Sequence, residues 1–432
     1  MHTATAETVQ PCPECGAEIR GDSRFPSWCA ACDWNVDPER PEEKPGRLTK
    51  AQRALAQRHS ERLLAELRAG GTLRARRDSS AVLAVAVALA VHALTLALTT
   101  GGIWFLAGGW GGWGMVPGAI LLALGWSLRP RFARLPKNTP VLRRADAPEL
   151  FALVDEVARV AGTRGVDAIA VDDEINASVR SYGVRGRRLL TLGLPLWEVL
   201  TPQQRVALLG HEMGHYVNGD TRHGVIVGTA YRSLTIWHYY FEPVDHDPLD
   251  DSAALALVLN LLYVVPRLLV RGVLTVLAGL TLRASQRAEY LADRVAARAG
   301  STQATLELME HLLISDSAAV TLQREANLSA LKGPRRGGTR STAPADGLWE
   351  RLAADLASVP EHERDRQRRA GVLRGHSVDE THPPTHLRHA CLLIGEAVPP
   401  AVVTDTERER RIAAELADAR MKVARRIIQD GY

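Results

Sequence analysis

The sequence predicts a mainly α-helical membrane protein with a small β-sheet, an apolar helical hairpin and an N-terminal four-cysteine module. Three observations carry this. Cys12-Pro-Glu-Cys15 and Cys29-Ala-Ala-Cys32 form a C-x2-C-x13-C-x2-C pattern. Ala81 to Leu98 reads AVLAVAVALAVHALTLAL, uncharged and long enough to cross a bilayer. Downstream, two segments of helical pattern carry His, Glu and Asp four residues apart: His211-Glu212-Met213-Gly214-His215 and Glu289-Tyr290-Leu291-Ala292-Asp293. The 432 residues suit more than one module, and a formal charge of +4 singles out no class of partner.

Residues 1–40 read as a zinc ribbon. Two C-x2-C knuckles can close a tetrahedral four-cysteine structural site. Cys391, the fifth cysteine, reads as a small buried apolar residue. Disulfides are the rival reading, and they fit poorly with the cytoplasmic placement argued below. A closed site does no chemistry, so the ribbon is expected to bind a protein partner, a substrate or the chain's own catalytic domain. Glu14, Glu18, Asp22, Asp33 and Asp37 make it acidic, which weighs against nucleic acid.

Residues 41–78 follow as a basic linker helix, Arg47 to Arg77, expected to be solvated or to rest on anionic lipid. Residues 79–129 read as a transmembrane hairpin. Its second arm lies within Ile103 to Leu128, uncharged and rich in glycine and tryptophan. His92 reads as a buried polar residue of that bundle. The N-terminus lacks signal-peptide character. Arg74, Arg76 and Arg77 precede the hairpin, and Arg129, Arg131, Arg134 and Lys137 follow it. The positive-inside rule then places ribbon and catalytic domain in the cytoplasm.

Residues 130–400 form the expected catalytic domain. Thr201, Pro202 and Gln204 make a helix start with a T-x-x-Q capping box, and Asn218-Gly219 a stop. His211 and His215 lie on one face of that helix and can reach one ion. Glu289 is a candidate third ligand, and two imidazoles plus a carboxylate leave a zinc position open to water. Glu212 is placed to take a proton from that water. Asp293, one turn from Glu289, can accept the second ring N–H of a zinc histidine. Both ligand helices must lie on one side of the membrane, so residues 220–284 cross it an even number of times. Two crossings, Gly224 to Phe241 and Ala253 to Leu282, would be joined by the acidic loop 242–251. Arg232, Arg267 and Arg271 oppose them, so apolar helices packed on the protein or lying at the interface are preferred.

From about Ala145 to Ala390 the chain resembles the HtpX-like and CAAX-prenyl-protease-like family of membrane zinc metalloproteases. The resemblance implies a helical zincin-type fold of the gluzincin kind. The zinc helix, H-E-M-G-H-Y-V-N-G-D, is very similar to the family's. In the third-ligand motif, S-R-x-x-E-x-x-A-D, Gln286 replaces the arginine, while Glu289 and Asp293 are intact. Asn176-Ala177, ahead of Gly183 and the strand-like Arg188–Leu192, matches the family's N-A segment; Ser178-Val179 departs from its usual aromatic pairing. The resemblance implies that this segment lies at a sheet edge where an extended peptide binds, a largely sequence-blind mode. A late H-P-x-x-x-x-R element, His382 to Arg388, also resembles the family's, and the resemblance assigns His382 and Arg388 to the active site, as candidates for stabilising the tetrahedral oxyanion.

Gly333 to Asp346 reads as a flexible loop, Leu348 to Val359 as a short helix, and Pro360 to Arg374 as a highly charged, solvated stretch. Residues 401–432 hold a C-terminal helix, Glu407 to Ile428, with Ile412, Leu416, Val423 and Ile427 in an apolar stripe. No P-loop, dinucleotide fingerprint or nucleophile elbow is present.

The expected activity is zinc-dependent hydrolysis of peptide bonds with Glu212 as general base. The cofactors are one catalytic and one structural zinc, and the partners are protein or peptide substrates and a lipid bilayer. The resemblance implies misfolded or regulatory membrane proteins as substrates, and quality control at a prokaryotic plasma membrane. Prenylated substrates occur in the wider family, and no residue here points to them. The rival is a non-catalytic membrane adaptor recruiting partners through the ribbon. A third reading, nucleic-acid association through ribbon and linker, would show salt-sensitive DNA binding.

Overall fold

The computed structural model describes residues 7–38, 47–70, 79–109, 112–217, 220–243, 253–331, 345–374 and 383–432. Outside these lie His382, most of the 333–346 segment and of the acidic 242–251 loop, Asn218-Gly219, Arg74, Arg76 and Arg77. The protein is mainly helical, with one small mixed sheet, long apolar helices and an N-terminal four-cysteine cluster.

The N-terminal module is an antiparallel pair, β1 (Glu7–Pro11) and β2 (Glu18–Asp22), followed by α1 (Arg47–Arg68). Next come α2 (Ser79–Gly108) and α3 (Met115–Leu128). These run antiparallel, because Gly109 meets Gly114, Gly102 meets Gly118 and Gly125 meets Thr99. Small residues let the two backbones touch. The first arm ends at Gly108 and the second begins at Met115, so the first is long and the second has only 14 residues.

The catalytic domain opens with β3 (Val141–Leu142), α4 (Pro148–Ala161), β4 (Ala168–Asp172), β5 (Ala177–Tyr182) and β6 (Arg187–Gly193). The sheet order is β3-β4-β6-β5. β4 and β6 are parallel, the other pairs antiparallel, and β5 is an edge. Gly183 and Gly186, both with positive φ, make the β5–β6 turn. Helices α5 (Leu194–Val199), α6 (Pro202–Val217), α7 (Asp220–Tyr240) and α8 (Ala253–Gly300) follow. The chain ends with α9 (Thr302–Leu313), α10 (Ser315–Leu331), α11 (Leu348–Ala357), α12 (Glu361–Arg374), α13 (Thr385–Leu392) and α14 (Thr406–Asp430).

One core joins the sheet to α4, α6, the end of α8, α9, α11 and α14, through residues such as Phe151, Leu190, Trp197, Leu209, Ala296, Leu352 and Leu416. The stripe Ile412, Leu416, Val423, Ile427 is buried in it. Residues 401–432 thus contribute a buried helix face to that core.

A second cluster joins α2, α7 and α8 through Ala84, Ala88, Val91, Ala230, Leu234, Val270 and Leu277. His92 of α2 lies there, with Nε2 3.2 Å from Thr229 Oγ1. α8 is a single helix of 48 residues, roughly 70 Å long at about 1.5 Å per residue. Its first part stands against α2 and turns Leu257, Leu261, Leu262, Val265, Leu268 and Leu269 outward. Ser79–Gly108 and Ala256–Gly300 are each long and apolar enough to cross a membrane.

Two expectations of solvation are corrected. On α1, Ala56, Ser60, Leu63, Leu64 and Leu67 are buried, because the helix packs on α8 and α13. Cys391 is buried in that same contact, and burial pushes its thiol up to about 11. In the charged 360–374 stretch, Glu363 and Arg366 are 2% and 5% exposed. They form a fork-shaped ion pair at 2.7 and 2.8 Å, covered by the N-terminal module, whose Val36 carbonyl takes a further bond from Arg366.

Candidate metal centre and cleft

The centre starts from α6. Thr201 and Gln204 cap it reciprocally: Thr201 N donates to Gln204 Oε1 at 2.9 Å, and Gln204 N to Thr201 Oγ1 at 3.4 Å. This sets the rotation of the helix, which presents His211 and His215 together. The end of α8 lies directly against it. A Cβ on Gly214 would sit 2.7 Å from Ala292 Cα, and one on Gly210 2.9 Å from Ala296 Cα. Glycine on one helix and alanine on the other bring the backbones close enough for Glu289 to reach the histidines. The sequence reading named the ligands and missed this packing; glycines spaced i, i+4 beside the ligands, facing alanines spaced i, i+4, were its signal.

His211 Nε2 and His215 Nε2 lie 3.2 Å apart. Glu289 Oε2 is 3.5 Å from His211 Nε2, and Oε1 is 3.7 Å from His215 Nε2. Nitrogen ligands at about 2.05 Å from a tetrahedral zinc would be separated by roughly 3.3 Å. The donor set, two imidazole nitrogens and a carboxylate, therefore fits zinc in kind and in spacing.

Behind His211 lies a buried chain of partners. Asp293 Oδ1 is 3.0 Å from His211 Nδ1, so Nδ1–H donates there and the Nε2 lone pair faces the centre. Arg388, from α13, donates to the same carboxylate twice, Nη2 to Oδ1 at 2.6 Å and Nε to Oδ2 at 2.9 Å. Its Nη2 also lies 3.8 Å from Glu289 Oε2. Burial by itself would raise the Asp293 pKa, but Arg388 and the His211 bond outweigh it and hold the carboxyl below the usual range. Gln286 is fully buried and donates to the Ala56 carbonyl of α1 at 3.2 Å. The position that departs from the family pattern thus bonds to α1.

A cleft of about 700 Å³ opens over the centre. Glu212, 5% exposed, lines it beside His211 and His215. Ala177 to Ser181, on edge strand β5, form one wall; Leu208 and the α9 residues Thr305, Leu308, Met309 and Leu312 form an apolar part of the lining. Asn176 also lines the cleft. Its Oδ1 accepts from Ala177 N at 2.8 Å and its carbonyl from Gly193 N at 2.9 Å, which starts the strand. Tyr216 ties α6 to the sheet, with its hydroxyl 3.2 Å from both Arg180 O and Leu189 O. Burial raises its pKa. Neither Tyr216 nor the α9 wall was singled out from sequence, because a lone tyrosine and an apolar helix face read as core.

The second cluster is at the N-terminus. Cys12 and Cys32 sulfurs lie 3.7 Å apart, and those of Cys15 and Cys29 3.6 Å. All four fall within 4.8 Å of one another. Sulfurs at about 2.3 Å from a tetrahedral zinc would be roughly 3.8 Å apart, whereas a disulfide needs about 2.05 Å. The cluster has the spacing of a metal site.

Comparison with known proteins bears on the first centre. The model of peptidase family M48 matches residues 144–393, more than half of the chain. Protease HtpX homolog 1 of Sulfurisphaera tokodaii is 32% identical over 80 residues, 18% of this chain and 25% of that protein. Protease HtpX homolog of Methanothermobacter thermautotrophicus is 29% identical over 127 residues, 28% of this chain and 45% of that protein. The chain thus spans less than half the length of either relative. No solved structure gives a significant match.

Proposed function

Because this chain belongs to peptidase family M48, we propose that it is a membrane-bound zinc endopeptidase that cleaves polypeptides laid along β5. The observation that carries this reading is the convergence of His211, His215 and Glu289 in a cleft shared by Glu212 and an edge strand. Bound there, zinc would lower the pKa of water towards ~7 and polarise the scissile carbonyl.

The protein's own groups do the rest. The free edge of β5 pairs with substrate backbone from Ala177 onward, with Asn176 fixing where the strand begins. Glu212 takes the proton of the attacking water and passes it to the leaving amine, a role worth ~10²–10⁴-fold. Asp293 holds the His211 tautomer. Arg388, expected at the oxyanion, gives its Nε and Nη2 donors to Asp293, so we assign it to positioning. His382 remains the oxyanion candidate from the sequence. Cys12, Cys15, Cys29 and Cys32 hold a second, structural zinc.

In this reading α2, α3, α7 and the first part of α8 form the membrane portion. The length and apolarity of α8 and its packing beside α2 support two further crossings, over the apolar helices packed on the protein or lying at the interface that the sequence favoured. Arg129, Arg131, Arg134 and Lys137 support a cytoplasmic cleft. Substrates are membrane proteins, misfolded or regulatory, reached close to the bilayer.

The test is cleavage of an unfolded model protein, and of the chain itself, in detergent with added zinc. Wild type and Glu212→Gln are compared at equal zinc content. Cleavage by wild type alone is expected. A fully zinc-loaded, inactive wild type would favour the adaptor reading.

A further inference from the structure

The second cysteine knuckle is seated on α12. Trp28, next to Cys29, is fully buried and stacks on His362, ring centroids 4.7 Å apart and planes at 22°. Arg369 lies over the same indole at 5.1 Å and donates to Ala30 O at 2.7 Å and Asp33 Oδ1 at 2.8 Å. Arg366 donates to Val36 O, and Arg24 donates to the Ser358 hydroxyl and carbonyl ahead of α12. An acidic knuckle thus meets a basic helix, and two of the knuckle's backbone carbonyls, Ala30 O and Val36 O, accept from it beside the Asp33 carboxylate.

Those carbonyls are aimed by the shape of the knuckle. Asp33 and Asn35 both have positive φ, and across the turn Cys29 N donates to Trp34 O at 3.0 Å while Cys29 O accepts from Asp33 N at 2.9 Å. So small a module, with a core of little more than Cys12, Ile19 and Cys29, cannot hold such a turn by burial alone. Structural zinc supplies that stability in comparable ribbons.

The same N-terminal region braces the other side of the site. Leu63, Leu64 and Leu67 of α1 pack on Tyr290 and Leu387, the neighbours in sequence of Glu289 and Arg388. Helices α12 and α13, which flank His382, also touch each other.

We propose that the four-cysteine module is a metal-dependent clamp whose binding partner is α12 of its own chain, so that metal at the cysteines governs the order of α12 and α13 and, through α13, the hold of Arg388 on Asp293. This assigns the ribbon an internal partner. It rests on the metal-binding reading of the cysteines, and the experiment separates the two.

Full-length protein in detergent is measured for zinc content and for amide hydrogen exchange in residues 361–374 and 385–392, with 148–161 as reference. Wild type is expected to carry two zinc ions, and Cys29→Ser/Cys32→Ser one. In that variant α12 and α13 exchange at least about tenfold faster while α4 is unchanged. Trp28→Ala/Arg369→Ala keeps two zinc ions and loosens the same two helices, which decides the matter should the cysteine variant unfold throughout. Unchanged exchange in α12 and α13 of the tryptophan–arginine variant, or loosening that stops at α12, would overturn the clamp. A single zinc in wild type would instead remove the metal-binding reading beneath it.

Discussion

Arg388 and Asp293 face each other as two parallel forks, 2.6 and 2.9 Å apart, buried behind the first zinc-helix histidine. The pair joins α13 to α8 and passes its orientation to His211 Nδ1 at 3.0 Å. A single ammonium cannot reproduce a bidentate grip. Arg388→Lys should therefore weaken zinc at the His211 centre by about 10–100-fold. Competition with a graded series of chelators reads this directly, and activity should recover in part with excess zinc. An affinity equal to wild type would remove Arg388 from the site's support.

The contact of α6 with α8 predicts a different lesion. At Gly214 a side chain has no room, since its Cβ would lie 2.7 Å from Ala292 Cα. Gly214→Val should push α8 away, with an overpacking cost of about 1–3 kcal/mol, and carry Glu289 out of reach. Denaturation midpoints and zinc content should both fall. A destabilised variant that keeps its full zinc would show that the helix spacing does not set the ligand distance.

Tyr216 links the zinc helix to the strand pair through Arg180 O and Leu189 O. Tyr216→Phe removes that hydroxyl and keeps the ring under Arg188, which lies 4.3 Å away. Loss of one such bond costs about 1 kcal/mol. The edge strand then sits less firmly against the metal, so KM should rise several-fold with kcat little changed. A fall in kcat at constant KM would argue against β5 as the substrate platform.

Asp172, at the end of β4, is an acid whose proton is held more tightly in the folded chain. Burial, then the nearby Asp173 and Glu174, raise its pKa to about 6, against the opposing Glu174 amide and Arg426. An unfolded aspartate titrates at about 3.9. The folded state thus loses stability as pH rises from about 4 through 6, and the penalty is complete above that. Asp172→Asn should be more stable than wild type at pH 7.5 and no more stable at pH 4. An equal difference at both values, by thermal unfolding, would mean the charge is not the cause.

Much of the site was legible because its parts are local. Histidines four apart share a helix face whatever surrounds them, and Thr201–Gln204 is a contact across one turn. The cysteine spacing named its cluster for the same reason, and the C-terminal stripe was visible by period alone. The charged stretch around Glu363 and Arg366 misled because composition reports the average surroundings of such residues. Arg366 meets its further partner, the Val36 carbonyl, 330 residues earlier in the chain. The basic helix α1 misled likewise, since the face it buries is matched by residues far along the chain, such as Tyr290, Leu387 and Cys391.

By itself, then, the sequence singled out the candidate metal ligands, where the helix that carries the two histidines begins, and which segments are long and apolar enough to cross a membrane. These follow from helix geometry and transfer free energy, which act within a few residues. Only the tertiary structure decided that glycine-to-alanine contact brings Glu289 to the histidines and that Arg388 is spent on Asp293. It also decided that the cysteine module lies on α12. Each of these is a meeting of distant segments, set by which surfaces can be buried together, and no local pattern records that choice.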